Sequence, residues 1–179
     1  MSSFVYRGHD CREYGIILEV VHRPVIAARR YNAIAIPGRD GSADISSDAA
    51  REDIVITCDC AYLSSSDEVL RENARKIASW LSQEGELEFS TEPGRYYSGK
   101  VISEIPMEDE LQIGRFSVEF SCFPFAMSRP HQVNDIITAN GQEMELAVDG
   151  TAPTPCTVTI KNIGSKPIKG IKLTLRKEV

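Results

Sequence analysis

Hydrophobic and polar residues alternate most cleanly in two places. Across residues 54–62, Ile54, Ile56, Cys58, Cys60 and Tyr62 fall on one side, and Val55, Thr57, Asp59 and Ala61 on the other. Across residues 116–122, Phe116, Val118, Phe120 and Cys122 alternate with Ser117, Glu119 and Ser121. A period of two marks a strand with one buried face. Shorter strands are expected at Phe4-Val5-Tyr6, at 16–21, at Leu87 and Phe89, and over 96–105. The period changes once. Leu70, Ala74, Ile77, Ala78 and Leu81 fall on one helical stripe. Ser65 and Glu68 have capping-box spacing before it, and Gly85 is the expected stop. Trp80 lies beside the stripe, and its indole N–H needs a partner if it is buried.

The connecting segments are as informative. Residues 37–53 are turn-rich and charged, and Pro37-Gly38 and Asp40-Gly41 supply the backbone freedom of tight turns. This reads as the tip of a long hairpin or arm, spanning about residues 22–50. Residues 91–94 form a turn, and the acidic stretch 104–110 turns the chain back. A first domain over 1–127 ends near Phe123-Pro124-Phe125. Residues 128–179 read as a linker followed by two strands, at 157–163 and 170–176. Two strands make no independent core. They must pack on the first domain, pair with a neighbouring chain, or begin a second domain.

Charge sharpens this division. Residues 1–150 hold 14 basic and 25 acidic side chains, a net of −11, whereas 151–179 hold 6 basic residues and one acid, a net of +5. An acidic body repels phosphates, so no specific nucleic-acid binding is expected. No apolar run reaches the ~20 residues that span a bilayer, and no secretory signal precedes the first strand, so no membrane role is expected. The five cysteines are an odd number in a chain of this length and read as reduced, packed thiols.

The search for chemistry returns structural readings throughout. His9, His22 and His131 are too far apart for a zinc helix. Cys58-Asp59-Cys60 puts two sulfurs on one strand face, without the second pair that a zinc site needs. Gly38-Arg39-Asp40-Gly41-Ser42 lacks the preceding strand, following helix and lysine of a phosphate loop. Glu108-Asp109-Glu110 reads as an exposed acidic loop, and no serine lies in a nucleophile elbow. The expectation is a protein that is not an enzyme, with no catalytic, cofactor or metal site.

The order of these elements resembles a known family. A Pro-Gly-Arg-Asp-Gly loop precedes an alternating strand and one amphipathic helix. Then come Phe89-Ser90-Thr91-Glu92-Pro93-Gly94-Arg95-Tyr96-Tyr97, a strand containing Val101, and Phe116-Ser117-Val118-Glu119-Phe120-Ser121-Cys122-Phe123-Pro124-Phe125. Over about residues 4–127 this run resembles the N-terminal domain of the distal tail proteins of phages or prophages with long, non-contractile tails. The resemblance implies a mainly β fold with one α-helix, a tail-tube-like β-sandwich carrying a long β-hairpin arm. Residues 128–179 would then be an incomplete β segment, the start of a truncated galectin-like domain.

The function implied is structural. Such proteins form a homo-oligomeric, hexameric ring at the virion tail tip or baseplate, after assembly in the bacterial host cytoplasm. The ring joins the tail tube to the hub and host-attachment proteins and lets DNA pass. Arg29, Arg30, Pro37, Gly38, Arg39, Asp40 and Gly41 are the candidate inter-subunit arm. The three arginines are expected to meet acids of the next subunit, and acidic residues to line the channel. The alternatives are a tail-tube subunit of similar fold, a carbohydrate- or partner-binding β-sandwich adaptor, and a small tail-tip hydrolase.

Overall fold

The computed structural model of the chain describes residues 2–46, 50–63, 67–105, 113–147, 150–174 and 176, with side chains at all of these except 63, 67–71 and 113. The predicted capping box at Ser65 and the acidic cluster at 108–110 lie outside the described residues, as does the side chain of Leu70.

The chain divides into two compact units, Met1–Asn134 and Asp135–Val179. In the first, β1 (Phe4–Tyr6) and β2 (His9–Asp10) form a hairpin, followed by a 3₁₀ turn (Cys11–Tyr14) and β3 (Ile16–His22). The arm holds β4 (Ala33–Ala35) and β5 (Ser42–Asp44). Then come β6 (Ile54–Leu63), the helix α1 (Asp67–Leu81), β7 (Gly85–Phe89), β8 (Arg95–Val101), β9 (Ile113–Cys122) and β10 (Met127–Ser128). The main sheet is antiparallel in the order β2-β1-β7-β8-β9-β6-β3, with β10 also paired to β8. The fold is mainly β with a single helix, as the patterning predicts.

The path turns into a sandwich at Gly99 of β8, which pairs with Gly85 on one side and Cys122 on the other. A Cβ at Gly99 would lie 2.5 Å from the Ser121 carbonyl oxygen and 2.6 Å from Cys122 Sγ. Only a glycine lets the two strands approach so closely. β1 thereby faces β9 across the core: the Phe4 and Tyr6 rings lie 5.8 and 5.1 Å from the ring of Phe120. The alternation over 54–62 is obeyed at every position, with Ile54, Ile56, Cys58, Cys60 and Tyr62 all buried. Val118, Phe120 and Cys122 are buried likewise, while Phe116 is half-buried. Burial pushes the thiols of Cys60 and Cys122 up to about 12, and that of Cys58 up as well. They pack as small apolar groups.

Three local expectations are corrected. Trp80 is not beside the helical stripe but at its centre, buried with Leu81, while Ala78 is exposed. The indole can enter the core because its N–H donates to the Tyr6 carbonyl at 2.7 Å. Gly85 does not stop the helix, which ends at Leu81; it begins β7. Its missing side chain makes room for Arg7, whose Cγ would lie 2.2 Å from a Cβ there. Arg7 and Gly8, at φ 52° and 81°, form the two-residue turn between Tyr6 and His9. The Arg7 guanidinium donates to the Trp80 carbonyl at 3.2 Å and to Gln83 Oε1 at 2.6 Å, placing a cation at the helix C-terminus. β8 ends at Val101 rather than running to 105, and the Ser103 hydroxyl takes the Glu119 amide at 3.0 Å.

The first unit runs past 127, because β10 pairs with β8 and Arg129 then ion-pairs with Glu86 and Glu88 over the Tyr96 ring. In the second unit the turn at 162–166 forms through the Asn162 side chain, which bonds the Lys166 carbonyl and the Gly164 amide. The predicted strands on either side are absent among the described residues, and their apolar side chains are exposed. Two short segments without a third strand to cover them have no face to bury.

Candidate assembly surface

The arm is a two-stranded ribbon separate from the main sheet. Its ladder pairs Ala33 with Asp44, Ile34 with Ala43 and Ala35 with Ser42. Towards its base, Ile45 donates to the Asn32 carbonyl, Arg30 to that of Ala50, and Glu52 to that of Ala28. At its tip, Arg39 donates to the Ile36 carbonyl at 3.1 Å, and Gly38 at φ 78° follows Pro37, as a type II turn requires.

Register sorts the ribbon into two faces. Ile34, Ile36, Ala43 and Ile45 share one. Tyr31, Ala33, Ala35, Ser42 and Asp44 share the other, where the Tyr31 and Ser42 hydroxyls meet at 3.5 Å. Ile34, Ile36 and Ile45 stand 51%, 42% and 60% exposed. Large apolar residues gathered on one open face mark an interaction surface.

All seven sequence-predicted residues lie on this arm and are exposed, but their parts differ. Pro37, Gly38, Arg39, Asp40 and Gly41 form the tip, and Arg39 makes no ion pair with a described residue. Arg29 and Arg30 are engaged within the chain. Arg29 lies 3.6 Å from Asp44, and Arg30 Nε donates to Glu52 at 3.0 Å. They brace the base of the ribbon. The isoleucine face was not singled out from the sequence, although alternation in Ala33-Ile34-Ala35-Ile36 carried its signal.

The outer face of β3, β6 and β9 carries polar pairs beside the exposed Val20 and Val55. Arg115 Nε pairs with Glu19 at 3.1 Å, and Asp59 accepts from the Ser117 hydroxyl at 2.6 Å with His22 Nε2 at 3.1 Å. These contacts hold the Asp59 carboxyl below its usual range, the Ser117 hydrogen bond most of all. Ser117 donates to the carboxylate rather than to an imidazole, so the trio is not arranged as a nucleophile and base.

A family model described as the phage tail protein RIFT-related domain matches residues 9–122, from β2 through the arm and helix to the end of β9. The chain belongs to this family. Among solved structures, the phage tail domain resembles the crystal structure of SPP1 Dit, which is described as a paradigm of the hub adsorption apparatus in phages infecting Gram-positive bacteria. The TM-score is 0.61 at 18% identity, over 72% of this chain and 53% of that one, a likeness of fold. This chain spans about half the length of that structure. No curated protein matches it.

Proposed function

We propose that this phage tail domain is a distal tail protein: a structural subunit of a homo-hexameric ring at the tail tip, joining the tail tube to the hub and host-attachment proteins around the path of the DNA. The observation that carries this reading is the exposed isoleucine face of the arm. A ribbon of two strands is marginal in water, and Ile34, Ile36 and Ile45 remain open on it. Burial against the next subunit would remove that apolar surface from water, at roughly 25 cal/mol per Å². Repeated around an axis, one arm-to-body contact closes a ring. The tip residues 37–41 extend the contact, while Arg29 and Arg30 stiffen the base.

The net charge of −11 over residues 1–150 fits a lumen that repels the phosphates of passing DNA. Residues 128–179 fit a linker and the start of a truncated galectin-like domain, whose basic segments at 157–163 and 170–176 form no strand among the described residues. On this reading the protein acts by assembly and needs no catalytic group or cofactor. It resides in the virion tail after assembly in the host cytoplasm.

Light scattering of the purified chain with negative-stain images tests the reading. Rings of six copies are expected. Stacked tubes would identify a tube subunit instead, and a monomer at every concentration would overturn self-assembly through the arm. A ring structure with a basic lumen would overturn the acidic channel alone.

A further inference from the structure

The arm leaves the sandwich beside an edge strand. β3 pairs with β6 on one side and ends the sheet on the other. The first residue after it, Arg23, folds back across the sandwich instead of following the chain outward. Its guanidinium carbon lies 5.6 Å from the ring centre of Phe89 and 5.7 Å from that of Tyr97. It forms an ion pair with Glu92, and Nη1 donates to the Tyr97 hydroxyl at 3.2 Å. Phe89 ends β7, Glu92 lies in the following turn, and Tyr97 lies on β8. All belong to the layer opposite β3. A few residues on, Ala27 is buried again, while Val25 and Ile26 between them are exposed. The root of the arm is thus held at two points.

The geometry points to Arg23 as the positioning residue of the arm: a clamp, seated on Phe89, Tyr97 and Glu92, that fixes the direction in which the ribbon leaves the sandwich. A solvent-exposed ion pair alone would do little. Here two aromatic rings add cation–π contact, and the planar guanidinium makes directed hydrogen bonds that a lysine ammonium cannot reproduce. The ribbon itself has no third strand to set its bearing, and its tip lies about 30 Å from the base at strand rise. A small rotation at the root therefore becomes a large displacement at the isoleucine face. The consequence for assembly rests on the ring reading, since a ring closes only when every contact repeats one rotation.

Distances within the full-length chain test the clamp. Spin labels are placed at the tip and on the body through Asp40→Cys and Lys100→Cys, in a Cys156→Ser background. The four remaining cysteines are buried. The parent is expected to give one narrow distance. Arg23→Ala and Arg23→Lys are expected to lose that narrow peak, with Glu92→Gln broadening it less, while the thermal midpoint stays near the parent's. A narrow peak retained in Arg23→Ala, or a broad one in the parent, overturns the proposal. If Arg23→Ala fails to fold, Arg23→Lys and Glu92→Gln decide in the same way. Ring formation is scored separately. A parent with a narrow distance and no ring defeats the ring reading and leaves the clamp standing.

Discussion

The indole N–H of Trp80 donates to the main-chain carbonyl of Tyr6 at 2.7 Å, tying the end of α1 to β1. The same indole stacks on Phe4 at 5.8 Å and on Tyr14 at 4.4 Å. Trp80→Phe removes the indole donor to the Tyr6 carbonyl. The expected loss is about 2–3 kcal/mol, combining an unmade hydrogen bond with a small cavity. Urea denaturation measures it. A surface sugar platform would instead tolerate the change, and stability within error of the wild type would show that Trp80 is not a core residue.

Gly99 allows no side chain at the turn of the sheet. Gly99→Ala would drive a methyl group into the Ser121 carbonyl and Cys122 Sγ. Overpacking against backbone is expected to cost about 1–3 kcal/mol. A thermal midpoint equal to that of the wild type would show that β8 and β9 can separate there freely.

Arg7 combines strain and capping. Its φ of 52° disfavours a residue with a Cβ, while its guanidinium holds the helix C-terminus. Arg7→Ala keeps the strain and loses the cap, at an expected cost of about 1 kcal/mol. Arg7→Gly loses the cap but relieves the strain, so it should be the more stable of the two by denaturant midpoint. The reverse order would refute this account.

Asp10 caps the 3₁₀ turn, and the Arg12 guanidinium above all holds its carboxyl down at about 2, from an ordinary 3.8. A depressed folded pKa means that its stabilisation is complete above about pH 4 and is lost as pH falls towards 2. Because Arg12 is largely exposed, solvent screening limits the effect to about 1 kcal/mol. The stability gap between wild type and Asp10→Asn should therefore close over that window in acid titrations of the denaturation midpoint.

The assembly surface separates from the fold. Ile34→Ser combined with Ile45→Ser alters only exposed positions, so stability should stay within about 0.5 kcal/mol of the wild type. Light scattering should show loss of the assembled species. Undiminished assembly by this variant would exclude the isoleucine face as the contact.

The sequence alone determined the elements whose order is local. The strict period of two at 54–62 and 116–122, the single change to a helical period, and the Pro37-Gly38 turn each follow from constraints between near neighbours. Tertiary structure decided everything that depends on residues distant in sequence. The place of Trp80 beside the apolar stripe already argues for core packing, but only the tertiary structure supplied the Tyr6 carbonyl as its partner. Gly85 read as a helix stop until Arg7 was seen to fill its space, and the purpose of Gly99 required Cys122 on its flank. The ion pairs of Arg29 with Asp44 and of Arg30 with Glu52 join residues separated by the length of the hairpin, which no local pattern shows. Among the described residues the strands predicted at 157–163 and 170–176 are absent, because an apolar segment supplies by itself no surface to be buried against.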